Sequence, residues 1–380
     1  MNWNRSKELN IAVSFFKGGG KPRTEHRNRS SYRCLMLFKR LILISLVLFV
    51  LTPSLFSETK ITIMSYNVHN LFDDVDDGSE YAEFKSEKGI WGNEQFEKKL
   101  THIAQAIRKS CFKGADIIAL QEVENRNALR LLRDRYLKGM GYDYAVTAPQ
   151  EGIAVRVALL SRIPIRQVRC HSMAEWRGTP LRNILEAELE YKGNTFFIFN
   201  NHWKSKSGGL RPTEQARLYA ASVILRRIRS ILEEKPDADI VILGDLNENV
   251  EEYPEVSGGV SGGGYQTALI PMSAVFEESY GTTSIFLADR PGAAGIFNGR
   301  LAFYEPWYEL DPQERGSYLF RGRWQTPDHI LLSAGLFDGQ GLAYQPGGFK
   351  VERSDILLKW VYSDHLPLII ILRIAGNGEG

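Results

Sequence analysis

Apolar residues along this chain recur in two patterns: short continuous runs that stop at a polar cluster, and longer stretches with an apolar residue every three or four positions. The clearest run is Ile240–Leu243, which passes through Gly244 into Asp245, Leu246 and Asn247. It predicts a fully buried strand that ends abruptly. Asp245 and Asn247 share a side if the backbone stays extended; an Asx turn closing the strand is the alternative. Ala115–Leu120 repeats the pattern and ends in Gln121-Glu122. Ile61–Tyr66 ends at Asn67, and Thr195–Asn200 runs into Asn201-His202-Trp203-Lys204. Two more predicted strands, Ile330–Ser333 and Leu366–Leu372, follow polar clusters, Thr326-Pro327-Asp328-His329 and Ser363-Asp364-His365.

The second pattern predicts helices. Phe96, Leu100, Ile103 and Ile107 form one stripe of a helix over Glu94–Ser110, with Asn93 as its cap. A shorter helix spans Ala128–Leu137, and a long one runs from Thr213 to Glu234 with Ala220, Val223 and Ile231 on its apolar face. Val155–Ser161 and Ile165–Val168 read as paired strands broken at Pro164, and Ile184–Glu190 alternates as a half-buried strand. Strands and helices alternate twice over, while several strands lack crossover helices. That combination predicts an α/β layered fold with mixed, largely antiparallel sheets.

Other stretches narrow the function by exclusion. No Gly-x-Gly-x-x-Gly follows a strand, which argues against dinucleotide binding, and glycine-rich Ser257–Gly264 lacks the Lys-Ser/Thr of a phosphate loop. The acidic loop Asp73–Asp77 lacks the ligand spacing of a helix-loop-helix calcium site and reads as solvated. Trp307, Tyr308, Tyr318, Phe320 and Trp324 interleave with Arg315, Arg321 and Arg323. Such a segment is either a substrate-facing wall, since aromatics and arginines suit bases and phosphates, or local packing.

Charge changes the picture once the amino terminus is set aside. Residues 1–57 hold ten Lys/Arg and two Asp/Glu, which leaves 37 Lys/Arg against 43 Asp/Glu in 58–380. The overall +2 therefore belongs to the leader, and nucleic-acid binding would need a local basic patch. Lys39-Arg40, the apolar run Leu41–Leu51 and the small residue Ser57 have the order of a secretory signal, with an uncleaved anchor as the alternative. The expectation is a leader over 1–57, its signal at 36–57, and one domain over 58–380. Residues 1–35 are read as lying upstream of the true start at Met36. An exported protein, periplasmic or extracellular, follows. Cys111 and Cys170 have no metal-ligand spacing, and as one possible pair they give only a weak disulfide signal.

The strand-end clusters supply carboxylates, carboxamides and imidazoles without cysteine. Hard oxygen donors suit Mg²⁺ or Mn²⁺, and histidines beside carboxylates suit proton transfer near neutral pH. Together they fit hydrolysis by activated water at phosphorus. In order, SYNVHNLFD, LQEVEN, NHWKSKSGG, GDLNEN, TPDHILLS and SDHLPL resemble the endonuclease/exonuclease/phosphatase superfamily over about residues 60–373. The resemblance implies a four-layer α/β/β/α sandwich with the site at one rim. It implies metal ligation by Glu122, Asn67 and Asp364. Asp245 would activate water, Asn247 would hold a phosphate oxygen, and His365 would contact the phosphate or act as base. Asp328 would orient a histidine, and His202 would assist the leaving group. Arg182 and Lys204 are candidate phosphate clamps. A monomeric nuclease cutting DNA or RNA is expected, with no protein partner indicated. A phospholipid or inositol-phosphate hydrolase is the alternative, with 296–308 as a candidate membrane hairpin. A non-catalytic binding protein on the same scaffold is the alternative of another class.

Overall fold

The computed structural model describes residues 60–111, 113–253, 266–274, 283–354, 357–359 and 362–375. The chain divides into two units, Met1–Ser57 and Glu58–Gly380. The predicted leader, the glycine-rich Ser257–Gly264 and the tail after Ala375 lie outside the described residues.

Along the second unit the chain forms β1 (Lys60–Leu71), α1 (Asn93–Ser110), β2 (Ile117–Val123), α2 (Arg126–Leu131), β3 (Tyr144–Thr147), β4 (Arg156–Ser161) and β5 (Ile165–His171). A small hairpin, β6 (Glu175–Trp176) and β7 (Thr179–Pro180), precedes β8 (Ile184–Tyr191), β9 (Asn194–His202), α3 (Leu210–Glu234) and β10 (Asp239–Asp245). Next come β11 (Leu269–Pro271), β12 (Ile285–Ala288), β13 (Gly295–Phe297), β14 (Arg300–Tyr304), β15 (Tyr318–Phe320) and β16 (Arg323–Gln325). The last strands are β17 (Asp328–Leu332), β18 (Leu342–Val351) and β19 (Leu368–Ile374).

One sheet has the order β18-β19-β1-β2-β4-β3 and the other β11-β12-β14-β17-β10-β9-β8-β5, with β13 beside β14. Both are mixed. The parallel pair β1/β2 is joined through α1, and the parallel pair β9/β10 through α3, because a parallel crossover needs a helix-length connection. Alternate residues of the central strands meet between the sheets, among them Ile61, Ile63, Ile117, Ala119, Phe196, Ile198, Val241, Leu243, Ile330 and Leu368. The opposite residues of β1 and β2 pack on α1 and α2, and those of β9 and β10 pack on α3. The result is the expected α/β/β/α sandwich, with strands buried on both faces at its centre.

Three local expectations are corrected. Val155–Ser161 and Ile165–Val168 do not pair: β4 joins β2 and β3 in one sheet, whereas β5 joins β8 in the other. The break at Pro164 is where the chain crosses the sandwich, after a turn in which Ser161 Oγ bonds the Ile163 backbone. Gly92, not Asn93, occupies the cap of α1, and no side chain bonds the first turn. The second helix starts earlier, capped by the Asn125 side chain accepting from Ala128 N–H, and ends in a π turn over Leu132–Tyr136. Cys111 and Cys170 are free thiols on different cores.

Candidate active site

The period of two that fills the core also builds the site. On β10, Val241 and Leu243 point between the sheets, so Asp245 does as well. The same alternation carries His202 on β9 and Asp328 on β17 inward, and the register sets Asp245 opposite both. From the facing sheet, Asn67 continues the face of Ile61 and Ile63. Below this rim Gln121 donates to Asn200 Oδ1 (2.8 Å), while Asn200 donates to the carbonyls of Leu120 and Ala158. A polar layer, in which only Gln121 Oε1 lacks a partner among these groups, thus separates the site from the apolar core.

Several backbone conformations at the rim are unusual. Glu122, Asn247, His69 and Asn70 have φ of 64°, 53°, 52° and 61°, a region non-glycine residues seldom adopt and which clusters at functional sites. Gly244 has φ of 124°, and a Cβ there would lie 2.0 Å from the Asn201 carbonyl oxygen, so only glycine lets β10 approach β9 this closely. The backbone beyond Asp245 does not stay extended. Asp245 Oδ1 accepts from Asn247 N–H (3.0 Å) in an Asx turn, the alternative that closes the strand.

Six predicted residues meet here. Asn67 Nδ2 donates to Asp245 Oδ2 (3.0 Å) and Glu122 Oε1 (3.2 Å). Asn70 N–H donates to Glu122 Oε2 (2.8 Å). His202 Nε2 lies 3.6 Å from Asp245 Oδ2 and 3.8 Å from Glu122 Oε1. His365 Nδ1 bonds Asp328 Oδ2 (2.7 Å), and its Nε2 is 3.9 Å from Asp245 Oδ2. Asn247 Nδ2 donates to the Trp203 carbonyl (3.2 Å) beside this group. Asp364 stands at the more exposed edge, 3.5 Å from His69 Nδ1.

The two histidines carry opposite electrostatics. Burial alone would lower His365, but the charge and hydrogen bond of Asp328, with Asp245 and Asp364 nearby, raise it to about 10. Burial, with Arg182 and the His365 cation, pushes His202 well below its usual value. His365 is therefore an imidazolium and His202 a neutral imidazole at neutral pH. Burial raises Asp245 to about 7, opposed by the His365 charge and supported by Asp328 and Glu122. Carboxylates so crowded, all oxygen donors, suit a divalent cation.

The phosphate-clamp candidates divide. Arg182 Nη1 donates to the same Trp203 carbonyl as Asn247 (3.4 Å), and its Nε is buried without an acceptor. Lys204 instead turns back on its own loop, bonding the carbonyls of Ser205 and Ser207. The aromatic segment divides too. Trp307 is fully buried in the inter-sheet core and donates to the Asp328 carbonyl (2.8 Å). Tyr318 stacks on His365 (centroids 4.7 Å, 26°), Phe320 lies near-parallel to Tyr318 (6.1 Å, 18°), and Arg321 sits 5.1 Å from the Phe320 ring. The exposed tip of the candidate membrane hairpin, Ile296 and Phe297, is elsewhere: Tyr304 pairs with Leu332, so β14 runs from Arg300 at the end of the sheet opposite Asp328.

Sequence reasoning missed four supporting residues. Ser317 donates to Asp328 (2.5 Å), and Ser363 Oγ donates to the Asn67 carbonyl (2.7 Å) while accepting from His365 N–H. Arg217, wholly buried, pairs with Glu214 and Glu248 and donates to the Lys204 carbonyl, tying the loop after β9 to the loop after β10. Lys99 on α1 is pulled down to about 8 by burial, against the opposing charges of Glu122 and Asp364. Ser363 lies inside a recognised cluster and was within reach of the motif reading. Lys99 and Arg217 sit on ordinary helix patterns and carry no signal. His329, flanked by Glu305 and the Glu248 carbonyl, is structural, as its neighbours on a strand would suggest.

Comparison with known proteins agrees with this geometry. Among solved structures, the chain resembles TDP2 from Caenorhabditis elegans at 16% identity, over 83% of this chain and 75% of that one, with a TM-score of 0.50. It resembles an endonuclease/exonuclease/phosphatase from Bacteroides vulgatus at 14% identity, over 83% of this chain and 100% of that one, also with a TM-score of 0.50. At these identities the likeness is one of fold. No curated protein matches the chain in sequence. A model of the endonuclease/exonuclease/phosphatase family matches residues 62–262, more than half of the sequence. The chain belongs to the endonuclease/exonuclease/phosphatase family.

Proposed function

We propose that this member of a phosphoester-hydrolysing, divalent-metal-using family is an exported phosphodiesterase that cuts nucleic acid. The observation that carries the reading is the convergence of Asp245, His202 and the Asp328–His365 pair on one rim, facing Asn67 and Glu122. Asp245 takes the proton of the attacking water. His365, held charged by Asp328, donates from Nε2 to a phosphate oxygen and stabilises the charge that grows there. His202, buried beside the Asp245 and Glu122 carboxylates, faces the leaving oxygen. Asn247 and the unpaired Arg182 N–H supply further donors for phosphate oxygens. A divalent cation held by Glu122, Asn67 and Asp364 would polarise the phosphate and offset its charge.

The aromatic series beside His365 supports a nucleic-acid substrate. An exposed Phe320 with Arg321 against it is a surface on which a base can stack, at a cost of about 1–3 kcal/mol when such a contact is removed. A hairpin whose exposed apolar tip, Ile296 and Phe297, lies at the opposite end of the sheet gives the phospholipid alternative no support at the site. Export rests on the Lys39-Arg40, Leu41–Leu51 and Ser57 pattern alone. The purified protein is tested with Mg²⁺ on plasmid DNA, RNA and sphingomyelin. Cleavage of nucleic acid, with a KM raised about 5- to 150-fold for single strands by Phe320→Ala and kcat kept, is the expected result. Release of phosphocholine with nucleic acid left intact would replace the reading.

A further inference from the structure

We propose that Asp77, Glu80 and Glu124 form a second cation site of the Ca²⁺ class, structural and separate from the catalytic group. One carboxylate oxygen from each lies within 4.8 Å of the others. Glu124, on the strand end that also carries Glu122, is fully buried, and its Oε1 has no hydrogen-bond donor. Its other oxygen accepts from Asp73 N–H (2.6 Å), which leaves Oε1 as the oxygen open to a further partner. A buried carboxylate oxygen left without a partner is costly and calls for a counter-charge.

No direct ion pair supplies that charge. Among the described residues no lysine or arginine forms an ion pair with any of the three. Arg156, the cation acting on Asp77 and Glu124, donates from Nε and Nη2 to the Gln150 carbonyl, and its Nη1 reaches no acceptor. Glu80 accepts from the N–H groups of Asp77 and Gly78, so the acidic loop is already wound around its carboxylate. Ca²⁺ takes about six to eight oxygens in flexible geometry, so three carboxylates from two segments, completed by carbonyls or water, suit it better than Mg²⁺.

The loop sequence carries no helix-loop-helix spacing because its third ligand arrives from β2. The cation would pin residues 73–80 to the end of that strand, where Glu124 N–H donates to the Leu71 carbonyl and fixes β1 against β2. Glu122 would thereby be steadied by a site it does not belong to.

Trp91 provides the readout, since its Nε1 donates to the Asp73 carbonyl (2.7 Å) beside the cluster. Tb³⁺, a luminescent stand-in for Ca²⁺, is titrated into Glu122→Gln protein, in which the catalytic ligand is gone, with excitation of tryptophan. The expected result is sensitised emission that excess Ca²⁺ displaces, together with a Ca²⁺-dependent rise in Tm. Both are lost when Glu124→Gln is added. Should that double variant fail to fold, Asp77→Asn on the exposed loop replaces it, with the same loss expected. Emission or a Ca²⁺ shift that survives the second substitution, or that is absent from Glu122→Gln protein, overturns the proposal.

Discussion

Asp328 holds His365 by a 2.7 Å bond and is itself held by Ser317, so the charge of one imidazole depends on a carboxylate fixed from behind. Asp328→Asn keeps the shape and removes the charge. It is expected to lower kcat by about 10²- to 10⁴-fold, the usual contribution of a positioned acid or base. His365→Ala should cost about as much, and the double variant little more, because the two act as one unit. Additive losses in steady-state kinetics would show that they act separately. At this scale the sequence was informative: Glu122, His202, Asp245, Asn247, Asp328 and His365 stand at or beside strand ends, where the motifs placed them, whereas Asn67 lies inside β1, which runs on past an irregularity to Leu71. It was less informative where a side chain's direction depends on local turns. Lys204 curls back to Ser205 and Ser207, an outcome that its place in a basic segment does not announce.

Among elements, the loops after β9 and β10 carry the site, and Arg217 on α3 joins them through Lys204 and Glu248. Glu248 also accepts from the N–H groups of Ala268 and Leu269, so a single buried charge network spans three segments. Arg217→Met leaves Glu214 and Glu248 buried without a cation, which costs about 3–5 kcal/mol. Chemical denaturation should show that loss, with a parallel fall in activity; a loss under about 1 kcal/mol, the range of an exposed pair, would mean that the network is not what holds the loops. Element existence was legible because runs such as Ile240–Leu243 and stripes such as Phe96–Ile107 follow the two periods. Partnering was not. β4 and β5 look like a hairpin in one dimension, and only the crossing at Pro164 assigns them to different sheets.

Across the whole molecule, the sandwich buries ionisable groups well away from the site, and these set its acid stability. Burial alone would raise Glu186, but hydrogen bonds and charge from His171 and Arg227 lower it to about 2. Its folded value is depressed, so its contribution is present above about 4.5 and is lost as pH falls toward 2. Denaturation midpoints of the protein and of Glu186→Gln should therefore converge over that range; a gap independent of pH would contradict the assignment. The central claim, metal-dependent phosphodiester hydrolysis at one rim of the sandwich, is tested most directly on a simple diester. The purified protein, Glu122→Gln and His365→Ala are each assayed on bis(p-nitrophenyl) phosphate with Mg²⁺ and with EDTA. The account predicts turnover by the unaltered protein with Mg²⁺, abolished by EDTA and by either substitution while the circular dichroism spectrum stays the same. Turnover that survives EDTA, or that survives both substitutions, would place the chemistry elsewhere.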